Sequence, residues 1–173
     1  MPNEIPELSW TRRAVLRGGA LLVGAVALAP RRLFAAEPSF ALPKATADAL
    51  AKSPLVYVSP LLASGKQSSC HKEVWFFWDR DAVVIATATD RWKTKAVKSG
   101  KDKARIWVGE YGSSAPSFTA KATIDSDPAT FARLLAAYAT RYPDEWESKW
   151  KARFESSYKD GSRTVIRYTP ISG

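Results

Sequence analysis

The sequence predicts a mainly β domain of the α+β kind, a small antiparallel β-barrel with a few flanking helices. Three observations carry this. Runs of β-branched and aromatic residues recur between turn-forming residues, as in "SPLVYVSPLLASGKQSSCHKEVWFFWDRDAVVIATAT". "SFTAKATID" (117–125) alternates cleanly, with Phe118, Ala120, Ala122 and Ile124 on one face. The strongest helical pattern, "DPATFARLLAAYATRY" (127–142), comes late, so strands and helices are segregated along the chain.

The chain opens on a leader. "TRRAVLRGGALLVGAVALA" (11–29) sets Arg12 and Arg13 ahead of an apolar run from Gly18 to Ala29, well short of the ~20 residues that span a bilayer as a helix. Basic residues before a short apolar run, with small residues after it, are the layout of a removable signal, and twin arginines address a route that exports folded proteins. Residues 1–36 are therefore read as a twin-arginine signal peptide and 37–173 as one domain, with cleavage near Ala35 or Ala36 as plausible as after Ala29, where Pro30 disfavours it. The expected destination is the periplasm or the exterior, with the twin-arginine export machinery as a partner and no stable membrane anchor.

"EPSFALPKA" (37–45) reads as a tether and 46–51 as a short helix. Three strands follow, near 55–61, 68–78 and 82–88, joined by turns at "ASGK" (63–66) and "DRD" (79–81). "DRWKTKAVKSGKD" (90–102) breaks the pattern as a short basic helix, opened by Asp90 as N-cap and closed by Gly100. Strands at 103–111 and 117–125 precede the late helix, which has Asp127 as N-cap, Pro128 as its first residue, and an apolar stripe of Phe131, Leu134, Leu135 and Tyr138. A second helix over 144–156 carries Trp146, Trp150 and Phe154 at helical spacing, and "SRTVIRYTP" closes the chain as a strand.

Composition narrows the function. Without the leader's five basic and two acidic residues, the net charge of +9 falls to about +6, which solubility or a small anionic ligand explains as well as nucleic acid does. There is no run of five or six like charges, and an exported protein is not expected to bind nucleic acid. The single cysteine, Cys70, excludes an intrachain disulfide and a multi-cysteine zinc site, so no metal is expected; its default role is a small buried hydrophobe, facing away from His71. One histidine and no G-x-S-x-G or H-E-x-x-H motif leave hydrolytic triads and zinc proteases without their parts. Walker and dinucleotide loops are absent too. Demanding chemistry here calls for a cofactor, and no side chain is nominated as a catalytic acid or base.

The stretch "VVIATATDRWKTKAVKSG" is the most informative. Hydroxyls of Thr87 and Thr89 at a strand end, then helix amides with Lys93, Lys95 and Lys98, are the parts of a phosphate site. On the residues alone a solvated basic face remains the other reading. Lys93 and Lys95 lie two apart and need not share a helix face.

The span from Leu55 to Val108 resembles the pyridoxamine-phosphate-oxidase-like family of flavin-binding split barrels. In that family a strand ending in aromatic-Thr is followed by a segment of the S-R-K-x-R-N-L kind, or commonly W-K-x-R-x-L, and "ATATDRWKTKAV" matches with Thr87, Trp92, Lys93, Lys95 and Val97. "SSCHKEVWFFWD" is similar to the family's second strand, whose "PVWF" segment runs along the flavin ring; Glu73 replaces the proline, while Val74, Trp75 and Phe76 fit. The resemblance implies a split barrel holding FMN, with Thr87, Lys93 and Lys95 at the phosphate and the backbone of Glu73, Val74 and Trp75 against the ring. Trp92 stands where the S-R-K form of the segment has its arginine. FMN is preferred because the site needs one phosphate and no adenine-binding element appears; deazaflavin is a close variant. A homodimer and redox turnover of a small organic substrate are implied as well. Haem binding or degradation on the same barrel, with His71 near the iron, is the alternative, and a non-catalytic flavin-binding or interaction module is another. Arg167 on the last strand is a further candidate for an anionic ligand, and the helices at 128–156 for a substrate lid or plain packing.

Overall fold

The computed structural model describes residues 40–112 and 114–172. The leader read over 1–36 lies outside the described residues.

Seven strands form one antiparallel sheet: β1 (Leu55–Pro60), β2 (Lys72–Trp75), β3 (Phe77–Asp79), β4 (Ala82–Ala88), β5 (Lys103–Val108), β6 (Ser117–Asp125) and β7 (Arg163–Pro170). Their order is β2-β1-β5-β6-β7-β4-β3. The first and last members are consecutive in sequence, separated only by Phe76, so this one segment reaches both edges and nearly closes the barrel. A closed sheet leaves few exposed edges to aggregate.

The expected strand over 68–78 is thereby corrected. It begins at Lys72 and breaks at Phe76, because its first half must pair with β1 and its second half with β4. At the break, Phe76 joins the barrel interior while Phe77 joins the outer cluster. Residues 68–71 are not strand, and Cys70 is exposed, not a buried hydrophobe.

Alternation along each strand builds two apolar cores. Inward residues such as Val56, Val58, Val83, Ile85, Ile106, Phe118, Ala120, Ala122 and Ile166 fill the barrel. Helix α1 (Lys44–Lys52) adds Leu50 to this core, and α2 (Trp92–Lys98) adds Val97. Since α1 precedes the start of β1 and α2 precedes the start of β5, and these strands run antiparallel, the two helices sit at opposite ends. Ile124 shares its strand face with Ala122 yet is exposed, at the end of β6.

The second core lies outside the barrel, where Phe77, Val84 and Val165 meet Phe131, Leu134, Tyr138, Trp146 and Phe154. These come from α3 (Pro128–Arg141) and the segment after it. Asp127 caps α3 as predicted, accepting from the Ala129 amide at 2.9 Å. The helix expected over 144–156 is less regular: α4 (Pro143–Glu145), a π-helical turn (Trp146–Trp150) and α5 (Lys151–Lys159). Helix α2 lacks the expected Asp90 cap; Arg91 precedes it, in a turn whose amide donates to the Ala88 carbonyl at 3.1 Å.

Candidate functional site

Closure by a broken strand leaves a split. β2 pairs only with β1, and the second half of β4, from Ile85 to Ala88, pairs only with β7. The backbone edges of β2 and of late β4 therefore carry no ladder between them. Two tyrosines one helical turn apart, at the end of α3, occupy this gap. The Tyr138 hydroxyl donates to the Trp75 carbonyl at 2.7 Å, with the Ala86 backbone also in reach. The Tyr142 hydroxyl donates to the Pro54 carbonyl at 2.6 Å and accepts from the Phe76 amide at 3.2 Å. Burial raises the pKa of both phenols and keeps them protonated, as donors.

A cavity of about 400 Å³ lies over the split, lined by Leu55, Glu73, Val74, Trp75, Ala86, Trp150 and Phe154. Glu73, Val74 and Trp75, singled out from the sequence, thus line one space. The Trp75 indole is itself held in place: it stacks on Tyr142 at 4.2 Å and meets Tyr138 and Trp150 edge-on at 5.8 Å. Glu73 is exposed and accepts from Tyr57, its cross-strand partner, at 3.1 Å. On the helical side, Trp150 donates its indole N–H to Glu145 at 2.9 Å. Behind Phe154 the Arg163 guanidinium lies 3.7 Å over the ring.

Basic side chains gather at the start of α2, where Arg91 and Lys72 lie near Lys93. Lys93 is only 6% exposed, its ammonium 4.6 Å over the Trp92 ring. Among the described residues no carboxylate forms an ion pair with it. Burial first, then Arg91 and Lys72 as neighbouring like charges, lowers its pKa to about 8, with the Cys70 thiol nearby acting in the opposite direction. Thr94, also buried, ties α2 to β4 through its hydroxyl and the Ala88 carbonyl. Thr87 is half-buried one residue beyond Ala86, opposite Thr164. The Thr89 hydroxyl is committed to the Gly161 carbonyl and to Thr164, each at 2.8 Å. Lys95 is exposed, on a different side of α2 from buried Lys93.

Two other candidates are placed elsewhere. Arg167 is engaged in ion pairs with Asp79 and, at 3.2 Å, Asp125, so it is part of the scaffold and not an open anion contact. His71 stacks flat on Tyr111 at 3.8 Å, and its Nδ1 is buried without a partner. Sequence reasoning missed Lys72, and it read Tyr138 and Tyr142 as lid or packing without their hydrogen bonds to the strands, for which their i, i+4 spacing was the available signal. Trp146 and Trp150 were read the same way; Trp146 is packed in the outer core, while Trp150, with Phe154, also walls the cavity.

No family model and no curated protein matches the sequence. Solved structures do match in fold. A conserved hypothetical protein from Mycobacterium tuberculosis is 13% identical, with a TM-score of 0.57, covering 79% of this chain and 85% of its own. The heme storage protein HutZ from Vibrio cholerae is 12% identical, with a TM-score of 0.53, covering 78% and 93%. A candidate pyridoxamine 5'-phosphate oxidase from Listeria innocua is 12% identical, with a TM-score of 0.51, covering 73% and 90%. At these identities the likeness is one of fold, and the fold is the split barrel of proteins related to pyridoxamine 5'-phosphate oxidase.

Proposed function

We propose that this chain is an exported flavin-binding protein that acts as an oxidoreductase on a small organic substrate, with FMN as its cofactor. The observation that carries the reading is Lys93: a buried cation with no carboxylate ion-paired to it among the described residues, near Lys72 at the start of β2, one of the two strands that border the split. Desolvating an ammonium without a partner is costly, and a phosphate is the natural complement to Lys93, Lys72 and Arg91 together. The residues present fit a phosphate-bearing planar ring, with Lys93 at the phosphate, Thr87 near it, and Glu73 to Trp75 along the ring. Lys95, by its exposure, contributes long-range attraction at most.

Bound there, the flavin would supply hydride or electron transfer. The chain's own contributions are to orient, to exclude water and to set charge. The aromatic wall of Trp75, Trp150 and Phe154 keeps one side of the cavity dry, and Tyr138 and Tyr142 fix the backbone against which the ring would rest. Glu73 is the cavity's ionisable side chain and stands at its rim. Export in the folded state fits a cofactor loaded before transport, and a homodimer is proposed with it.

The test is an absorption spectrum of protein purified from the cytoplasm, then titration with FMN and with deazaflavin. The two-banded flavin spectrum, with affinity lowered about ten- to a hundred-fold in Lys93→Ala by loss of one charge-assisted contact, supports the reading. Protein that takes up neither sinks it. The stranded Nδ1 of His71 favours haem as a second reading, and a Soret band lost in His71→Ala would decide for it.

A further inference from the structure

A second cavity, of about 290 Å³, lies elsewhere on the outer barrel wall, lined by Gln67, Arg105, Trp107, Tyr111, Gly112 and Ser117. It shares no residue with the cavity over the split. Arg105 and Trp107 are two apart on β5, opposite Ser59 and Tyr57 of β1, so both project outward from the sheet. Trp107 is nonetheless buried, because Tyr111 folds over it with ring centroids 4.8 Å apart at 63°.

Arg105 is half-buried and oriented by two neutral groups. Its Nη1 donates to the Thr119 hydroxyl at 3.2 Å and its Nη2 to the Ser117 hydroxyl at 2.9 Å. Among the described residues no carboxylate forms an ion pair with it. A guanidinium has five N–H donors, and hydroxyls fix its plane without neutralising its charge. Beside it Tyr111 is 44% exposed, with His71 stacked on one face of the ring at 3.8 Å and 4°. The stack is flat, and within it the His71 Nδ1 is buried without a partner. It holds the Tyr111 ring in a fixed plane at the cavity.

We propose that this cavity is a second binding site, for a small planar ring bearing a carboxylate, with Arg105 as its anchor and Tyr111 and Trp107 as its aromatic wall. A pre-oriented guanidinium recognises a carboxylate through paired N–H donors, and fixed aromatic rings accept a planar ring at offset or edge-on geometry. The Gln67 amide, also lining the cavity, can donate to the same carboxylate. The site is independent of the flavin reading, since none of its residues belongs to the split or to α2.

Benzoate titrated into the full chain, followed by tryptophan fluorescence and calorimetry, tests this. Saturable binding is expected, with benzyl alcohol failing to compete, Arg105→Gln weakening affinity about ten-fold or more, and Lys93→Ala leaving it unchanged. Arg105→Lys, which keeps the charge but loses the fork, decides the matter if Arg105→Gln does not fold by circular dichroism; it too is expected to bind more weakly. Absence of saturable benzoate binding, equal binding of benzyl alcohol, undiminished binding by the folded arginine variant, or a loss in Lys93→Ala each overturns the proposal. FMN titration of the same Arg105 variants is expected to match the wild-type chain, so failure of one site is separable from failure of the other.

Discussion

Around Asp79 and around Lys93 the same kind of material, charged side chains against a barrel wall, is used in opposite ways. Asp79 is buried and accepts two hydrogen bonds from Arg133, at 2.8 and 3.1 Å, while Arg167 spans from Asp79 to Asp125. Every buried charge there meets its complement, and the cluster ties the β3–β4 hairpin to α3 and β7. Lys93 is as deeply buried, yet its neighbours Arg91 and Lys72 are cations, offset only by the Cys70 thiol. The first cluster is complete as it stands, whereas the lysine of the second has no carboxylate ion-paired to it among the described residues, and the proposed phosphate would be its complement. Mutations in the two clusters should therefore have opposite signs on stability.

The largest expected effect is at Asp79. Asp79→Ala leaves two arginines without their shared carboxylate, and breaking such a pair by removing one partner costs about 3 kcal/mol or more, read as a lower urea midpoint at unchanged slope. FMN affinity should not move. Hydrogen bonding from Arg133 holds the Asp79 carboxyl below its ordinary value. Its contribution is thus present above the unfolded carboxylate pKa and is lost as pH falls through the lower folded one. Acid unfolding of the wild type should begin in that window, and Asp79→Ala should flatten it. A variant as stable as wild type would show that the cluster is ornamental.

Lys93→Met should do the reverse. The folded pKa of Lys93, about 8, lies below the ordinary lysine value, so the penalty for burying the charge is in full force below pH 8. It fades as pH rises from about 8 towards that ordinary value, and is absent above it. At pH 7 Lys93→Met is expected to stabilise the chain, on the order of 2 kcal/mol, while removing most FMN affinity. In the wild type, FMN affinity should fall as pH rises through about 8, because the phosphate loses its cation. Loss of stability in Lys93→Met, with binding intact, would make Lys93 structural and remove the contrast.

A smaller effect tests how the split is held. Tyr142→Phe keeps the ring stacked on Trp75 and removes only the hydroxyl, leaving the Phe76 amide without that partner. The expected loss is about 1–2 kcal/mol, with weaker protection of the Phe76 amide in hydrogen exchange and little change elsewhere.

The contrast also explains what was legible in the sequence. Barrel strands and α3 could be read because period-2 alternation and an Asp-Pro cap are local signals, as at Phe118, Ala120 and Ala122 or at Asp127. The break at Phe76 could not, because nothing in "HKEVWFFWD" marks where one segment must change partners; that is fixed by strands far along the chain. Glu73, Val74 and Trp75 were singled out by resemblance and line one cavity, but the fixing of the Trp75 indole depends on Tyr142, whose hydroxyl also meets Phe76, 66 residues earlier in the chain. Arg167 was misread for the same reason: its partners Asp79 and Asp125 are adjacent only in the folded barrel. Isolated charges in a sequence do not reveal whether a counter-charge will arrive.

Lys95 supplies the smallest effect and the finest test. It stands two residues from Lys93 on the same short helix and carries the same charge, so sequence alone gives the two equal claim to a phosphate. The difference between them is burial: Lys93 is enclosed and Lys95 is exposed. An exposed ammonium is already solvated and screened, so its removal changes stability by no more than about 0.5 kcal/mol. Lys95→Ala should therefore leave the melting temperature unmoved and lower FMN affinity less than about two-fold at physiological salt, with a larger loss at low salt where screening is weak. A loss matching that of Lys93→Ala would mean that both lysines reach the ligand. Helix α2 would then have to turn on binding, because in the present arrangement only one of the two faces inward.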